Sequence, residues 1–312
     1  MNYQELIQQN TQILINSGIE EKTAKYDAEE LFLSAFHWTR SELLKKYHEE
    51  IDINCIENNI YKNFIQQRSN KKPLAYITHD TIFFGYNFFV NESTLIPRID
   101  SEIIIENAIS FFLTDKSINE KLKKKETIKI LDACCGSGCL GLSFIKNIAE
   151  KQTITAWQGI AIELTMLDIS SAAIQVAKIN AQKLLLNDKQ PVNIKYIISD
   201  VIINGFGYEK YDIILYNPPY IERLTIAHLD ESVKNFEPHL ALDGGEDGLK
   251  FYKTVAPVLS RNFFQNSIAF FEIGFNQGER TKKIFSENGF AVEIKKDYGH
   301  QDRYLILKNK NY

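Results

Sequence analysis

This chain of 312 residues is short of cysteine, of charge imbalance and of long apolar runs, and each shortage removes a class of protein. Its four cysteines are Cys55, Cys134, Cys135 and Cys139, three of them within six residues. Adjacent cysteines rarely bridge each other, so a disulfide framework is not expected. The spacing Cys134-Cys135-x₃-Cys139 misses the paired-cysteine pattern of a zinc site, so no metal is expected. No secretory signal is read at the start, and reduced thiols fit a cytoplasmic protein. No apolar run reaches the roughly 18 residues of a membrane span. Net charge is −4. Residues 1–80 carry 9 Lys+Arg against 12 Asp+Glu, a balance of −3; the remainder carries 27 against 28, a balance of −1. Neither part has the basic excess of a protein that grips phosphate backbones, so direct nucleic-acid binding is not expected. What is plentiful is apolar matter, at 44% of the chain with 12% aromatic, enough for a large core and two domains.

Two of the seven prolines stand side by side in Asn217-Pro218-Pro219-Tyr220. They follow Tyr211-Asp212-Ile213-Ile214-Leu215-Tyr216, an apolar run that reads as a buried strand. Neither proline has an N–H to give, so the ladder stops there, and Pro219 pushes Pro218 towards an extended backbone. The result is a stiff loop that offers carbonyl oxygens between an amide and an aromatic ring. That chemistry suits a planar N–H₂ group: the Asn217 side-chain oxygen and the Pro218 carbonyl each accept one N–H, and the Tyr220 ring stacks on the flat face. An ordinary Pro-Pro turn, with Asn217 chosen for turn geometry, would leave the same letters. The tetrapeptide resembles the signature of methyltransferases that modify amide or exocyclic amino nitrogens.

Along the chain the pattern changes twice. The first ~70 residues are helical in period, with apolar faces at Leu6, Ile7, Ile13 and Leu14, then Ala28, Leu31, Phe32 and Ala35, and later Ile56, Ile60, Phe64 and Ile65. Ser41 stands where a helix N-cap would, before Glu42-Leu43-Leu44. Phe32, Phe36 and Trp38 are expected in the core of a small helical bundle. Residues 82–90 read as two aromatic strands around Gly85, a hairpin connecting domains. Lys121-Leu122-Lys123-Lys124-Lys125 reads as a solvated linker. From Asp100 helices and strands alternate, with strands expected at 127–133, 160–168, 193–199, 211–216, 267–273, 290–296 and 303–308, and helices at 139–149 and 171–186. Alternation at this spacing means an α/β fold with a mostly parallel, doubly wound sheet.

In such a sheet the turn after the first strand is where a ligand crosses the strand ends. Here it reads Asp132-Ala133-Cys134-Cys135-Gly136-Ser137-Gly138, with glycines that permit positive φ and close approach. It resembles motif I of methyltransferases that use S-adenosylmethionine, with Cys134 and Cys135 where the commoner form has Gly and Thr. A glycine-rich turn alone would serve a dinucleotide equally well; the Asn-Pro-Pro-Tyr stretch decides between them. Asp168 ends the second strand and is the expected ribose acceptor. It lies 30 residues beyond Gly138, so a small insertion is expected at 151–160. Glu163 is a rival acid placed earlier in the strand. Asp200 follows the third strand and is expected at the adenine amino group, with Val201 packed near the base; a cap at a helix or turn is the plainer role for Asp200.

Further segments carry a wider resemblance: Ile96-Pro97-Arg98-Ile99-Asp100-Ser101-Glu102, Phe236-Glu237-Pro238, Gly244 to Tyr252, Glu272 to Gly278, and Asp302-Arg303. In this order they resemble the peptide-chain release factor glutamine N5-methyltransferases over almost the whole chain. The resemblance implies a helical substrate-docking domain at 1–75, a β-hairpin linker at 76–95 and, at 96–312, a Rossmann-like, seven-stranded class I methyltransferase domain. It implies S-adenosylmethionine held by residues 134–138, Asp168, Asp200, Val201 and Asn217, and a substrate glutamine held by Asn217, Pro218, Pro219 and Tyr220. Asn217, Pro218 and Tyr220 are then the catalytic set. The implied partner is a class-I release factor, methylated in its Gly-Gly-Gln loop. For Arg98, Glu102 and Glu237, an ion-pair frame around the pocket and a direct substrate role stand level. A sister enzyme acts on a glutamine of a large-subunit ribosomal protein, but the acidic pair Asp100 and Glu102 favours the release-factor branch. Adenine N6-methyltransferases share the loop, yet they extrude a base and use a basic recognition region, which the acidic first domain does not offer. A cofactor-binding protein without catalysis is opposed by the intact Asn217 to Tyr220.

Overall fold

The computed structural model describes residues 1–150, 161–185 and 192–310, so the insertion expected at 151–160 and the end of the helix expected at 171–186 lie outside the described residues. The chain divides into two compact units. One is Met1–Asp80 with Asp230–Phe236; the other is Thr81–Leu229 with the chain from Glu237 onward.

The smaller unit is helical: α1 (Tyr3–Asn16), α2 (Glu21–Phe36), α3 (Arg40–Lys46), α4 (Ile56–Ser69) and α5 (Leu74–Thr78). Asn2 and Glu5 close a capping box on α1. Ser41 is not the cap of α3. Thr39 is, because Glu42 stands three residues after it and completes a second capping box. Leu6, Ile7, Leu14, Ala28, Leu31, Phe32 and Ala35 are buried as their spacing predicts, whereas Ile13 is 45% exposed. On α4 the buried stripe is Asn58, Tyr61 and Ile65, and Ile56 and Ile60 face out. The Tyr61 hydroxyl donates to the Ala28 carbonyl at 3.0 Å, which satisfies a buried phenol and fixes that face inward. Phe32 stacks on Phe36 at 4.2 Å and meets Trp38 edge-on, so the aromatics are core.

In the larger unit the hairpin strands β1 (Asp80–Phe83) and β2 (Tyr86–Phe89) flank Gly85. From Thr81 the hairpin is built into this unit and is not a free connector. Phe83 and Phe88 sit in its core, and Asn180 pairs with both the N–H and the carbonyl of Phe89. Helices α6 (Glu102–Thr114) and α7 (Lys116–Lys124) follow. The lysine run is therefore helix, not linker: Leu122 is buried and Lys121 pairs with Asp212 at 2.6 Å.

The sheet then runs β3 (Ile128–Ala133), α8 (Cys139–Glu150), β4 (Ile162–Asp168), α9 (Ser171–Leu185), β5 (Val192–Ile198), α10 (Val201–Asn204) and β6 (Tyr211–Tyr216). After β6 come α11 (Glu231–Lys234), which groups with the helical unit, and α12 (Lys250–Val255), then β7 (Phe263–Glu272), α13 (Gly278–Glu287), β8 (Phe290–Lys296) and β9 (Asp302–Asn309). The strand order is β5-β4-β3-β6-β7-β9-β8, parallel except that β9 is antiparallel to both neighbours. Strand β7 starts four residues before the expected 267 because Ser267 bulges it: its hydroxyl takes the Phe264 N–H and donates to the Tyr211 carbonyl. The seven-stranded Rossmann-like sheet is as expected. The chain leaves β3 towards β4 and β5, then returns to place β6 on the other side of β3. That reversal puts a crevice at the carboxyl ends of β3 and β6.

Candidate active site

A cleft opens at those strand ends. The turns after β3, β4, β5 and β6 line it, with Ser93, Thr94, Leu95, Pro97, Arg98, Ser101, Pro238, Leu240, Ala241, Lys250 and Phe251. The turn after β3 is held by bonds within itself and to its neighbours β4 and α9. Cys135 N–H donates to the Leu167 carbonyl at 3.0 Å, and Gly138 N–H to the Cys135 carbonyl at 2.7 Å. Asn180 supports the Ser137 carbonyl at 2.9 Å. Cys134, Gly136 and Gly138 all have positive φ, of 54°, 52° and 78°. A Cβ on Gly138 would stand 2.8 Å from the Met166 methyl, so only glycine fits there without displacement. Burial pushes both the Cys134 and Cys135 thiols well up, which leaves them neutral and unreactive.

Three acids line the cleft at strand ends. Asp168 accepts the Gly136 N–H through Oδ2 and the Ser170 N–H through Oδ1, each at 2.9 Å, so it ties the turn after β3 to the end of β4. Burial raises its pKa despite those bonds. Asp200 caps α10, its Oδ1 accepting the Ile202 N–H at 2.7 Å, while Val201 beside it is buried against the cleft. Asp132 is the acid that sequence reasoning passed over. It is 1% exposed, and its Oδ2 accepts the Gly141 N–H at 2.8 Å. Its Oδ1 has no partner among the described residues. Burial, first, and the neighbouring Asp168 push its pKa up to about 8. The signal was available: an acid in the last two residues of a buried strand. Glu163 is not in the cleft. It lies at the other end of β4 with Lys195 at 3.0 Å and Lys129 at 3.8 Å.

Across the cleft, Asn217 and Pro219 line the wall; Pro218 between them is buried, as is Pro219. Among the described residues no hydrogen bond holds the Asn217 amide, which leaves it free for a ligand. Tyr220 differs from expectation. It is not on the cleft wall: its hydroxyl donates to Glu272 Oε1 at 3.1 Å, and its ring packs partly into the core. Burial and the Glu272 charge push the phenol well above its ordinary range. Arg98 pairs with Glu237, which also accepts the Ile96 N–H at 3.2 Å, so these two are a frame. Glu102 serves the hairpin instead, accepting the Phe84 N–H at 2.7 Å.

The chemistry of the cleft separates two kinds of ligand. Asp168 and Asp200 disfavour a pyrophosphate, and with Asp132 they suit a ligand that brings N–H and O–H donors with positive charge. The unpartnered Asp132 oxygen fits the same demand. S-adenosylmethionine, with a sulfonium, an ammonium, an adenine amino group and ribose hydroxyls, meets it.

Comparison with known proteins agrees. The Methyltransferase small domain family matches residues 115–244, and the PrmC N-terminal domain family matches residues 5–78. A release factor glutamine methyltransferase of Clostridium acetobutylicum is 33% identical over 265 residues, covering 85% of this chain and 84% of that protein. One of Thermodesulfovibrio yellowstonii is 31% identical over 87% of this chain and 89% of its own length. One of Flavobacterium psychrophilum is 31% identical over 88% of each. The chain belongs to the release factor glutamine methyltransferase family. It is an S-adenosylmethionine-dependent methyltransferase, and the acid-lined cleft fits that cofactor. Among the described residues no helix is long and apolar enough to cross a membrane.

Proposed function

We propose that this methyltransferase transfers a methyl group from S-adenosylmethionine to the side-chain amide nitrogen (N5) of the glutamine in the Gly-Gly-Gln motif of class-I release factors. The observation that carries the reading is the free Asn217 amide on the Pro219 wall, directly after β6 and beside the cofactor-side turn after β3. The cofactor supplies an electrophilic methyl on sulfur. The substrate glutamine supplies the nitrogen that would receive it, giving up one of its two protons as the sulfur–methyl bond breaks and the nitrogen–methyl bond forms. An amide lone pair is delocalised into its carbonyl and is a poor nucleophile. Asn217 Oδ1 and the Pro218 carbonyl take one N–H each, orient the nitrogen and favour its tetrahedral form, an interaction gained mainly in the transition state. Asp168 receives the ribose hydroxyls, Asp200 the adenine amino group, and residues 134–138 with Val201 shape the rest of the cofactor site.

A release factor is a translation protein, so the reading carries a protein partner and a cytoplasmic location with it. The helical unit, with its own core, is the docking module for that partner. The test is direct. Purified protein and labelled cofactor should add one methyl to a release factor, and none when its Gly-Gly-Gln glutamine is replaced by glutamate, which has no N–H₂. Equal labelling of the glutamate form would sink the reading. In the same assay, removal of residues 1–80 should slow transfer far more than it weakens cofactor binding, because positioning is lost.

A further inference from the structure

Glu272 ends β7, beside β6, the strand that Asn217 follows, and it is a buried carboxylate with no assigned task. It is 1% exposed, yet both oxygens are engaged: Oε2 accepts the Ser101 hydroxyl at 2.6 Å and Oε1 the Tyr220 hydroxyl at 3.1 Å. Its own carbonyl accepts the Tyr252 hydroxyl at 2.6 Å. The Tyr220 carbonyl is gripped as well, by Gln277 Nε2 at 2.8 Å, while Gln277 Oε1 accepts the Gly274 N–H at 2.9 Å. The backbone of Tyr220 lies so close to the segment 244–248 that a Cβ on Gly244 or Gly248 would stand 2.8 or 2.4 Å from it. Tyr220 is thus held at its hydroxyl, its carbonyl and its backbone, directly after Asn217-Pro218-Pro219.

We propose that Glu272 is a positioning residue for methyl transfer: through the Tyr220 hydroxyl it fixes the register of the Asn217-Pro218-Pro219 acceptor loop. A buried carboxylate is costly unless its partners are worth the desolvation. Here one partner is the loop itself and another, Ser101, lines the cleft. The prolines stiffen the loop internally, but they donate no hydrogen bond that would anchor it to the sheet. Glu272 supplies that anchor. The inference rests on the methyl-transfer reading above.

The test uses the full chain with a release factor and S-adenosylmethionine, and reads kcat, KM for the release factor and cofactor Kd separately. Glu272→Gln keeps size and one acceptor but turns the other into a donor. It should lower kcat by about tenfold to a hundredfold, the worth of one hydrogen bond to a charged group, with KM and cofactor Kd within about threefold. Tyr220→Phe keeps the ring and leaves Glu272 Oε2 on Ser101, removing only the bond to Oε1, and should match that loss even if Glu272→Gln folds poorly. The double variant should be no slower than the slower single variant, because both remove one contact. Multiplicative losses, or an unchanged kcat in Tyr220→Phe, would overturn the positioning role. So would a fall in cofactor affinity equal to the fall in kcat, the mark of a general structural defect. A wild-type chain that methylates no release factor would instead remove the functional reading, and this inference with it.

Discussion

The two walls of the cleft are built by opposite means. The cofactor wall is built at closer range: Gly138 bonds back to Cys135, and the longest reach among the bonds of this turn described above is to Asn180, 43 residues away. The acceptor wall is assembled from distant segments. Ser101 reaches Glu272 across 171 residues, Arg98 reaches Glu237 across 139, and Gln277 reaches Tyr220 across 57. A local wall can be reshaped by one substitution with modest consequence. A wall of long-range buried hydrogen bonds stands or fails as a network, because each lost partner leaves a buried polar group unsatisfied.

The largest contrast should come from Asn217→Ala. It removes one of two amide acceptors on the acceptor wall, so kcat should fall on the order of 10²–10³-fold, as for loss of one preorganised polar contact. Cofactor affinity should fall by much less, the share of Asn217 in holding the cofactor. Single-turnover rates at saturating cofactor check this. Normal turnover would reduce the Asn-Pro-Pro loop to a turn and erase the distinction between the walls.

Asp168→Ala is the counterpart on the cofactor wall. It removes a charged acceptor that also holds the Gly136 and Ser170 N–H groups, so cofactor binding should weaken by about 1.5–3 kcal/mol. At saturating cofactor kcat should largely recover. Calorimetry and turnover together separate the outcomes. A kcat loss as large as that of Asn217→Ala would show that the walls are not independent.

This contrast also explains what was legible in the sequence. The sheet was readable because Ile213 to Tyr216 and its sister strands are apolar runs of strand length, and the cofactor wall because its residues are consecutive. Ser41 and Ile56 misled because a capping pair and one phenol, Tyr61, decide a helix boundary and a helix face more strongly than apolar spacing does. The roles of Tyr220, Glu102 and Glu272 were not legible, since each depends on a partner 18 to 171 residues away. One local rule would have found Asp132 and Glu272: an acid in the last two residues of a buried strand is retained against its desolvation cost.

Asp132 gives a pH test confined to the cofactor wall. An unfolded aspartate ionises near ~4, whereas burial keeps Asp132 protonated up to about 8. Unfolding between those values releases a proton. The stability this group contributes is complete below ~4 and declines as pH rises to about 8. Asp132→Asn should remove that decline, seen as thermal midpoints that lose less than wild type between pH 5 and 8. A cationic ligand favours the ionised carboxylate, so wild-type cofactor affinity should rise towards pH 8, by about tenfold per unit at most, and Asp132→Asn should flatten the rise. An identical profile in the variant would detach Asp132 from the cofactor.

The smallest effect is expected at the two adjacent cysteines, and it probes how a local wall tolerates change. Cys134 has a φ of 54°, a left-handed conformation that costs an L-residue about 1–2 kcal/mol. Glycine there relieves that strain but gives up about 0.5–1 kcal/mol of unfolded-state entropy and a small side chain packed against the core. These contributions nearly cancel, so Cys134→Gly should shift stability by less than about 1 kcal/mol. Cys135 is buried at 5% exposure and has no positive φ to relieve, so Cys135→Gly suffers both losses without the gain. Its destabilisation should exceed that of Cys134→Gly by about 1–2 kcal/mol, the left-handed strain itself. Denaturant midpoints of the two variants measure the difference. Equal losses would mean that the turn after β3 relaxes around Cys134 and stores no strain.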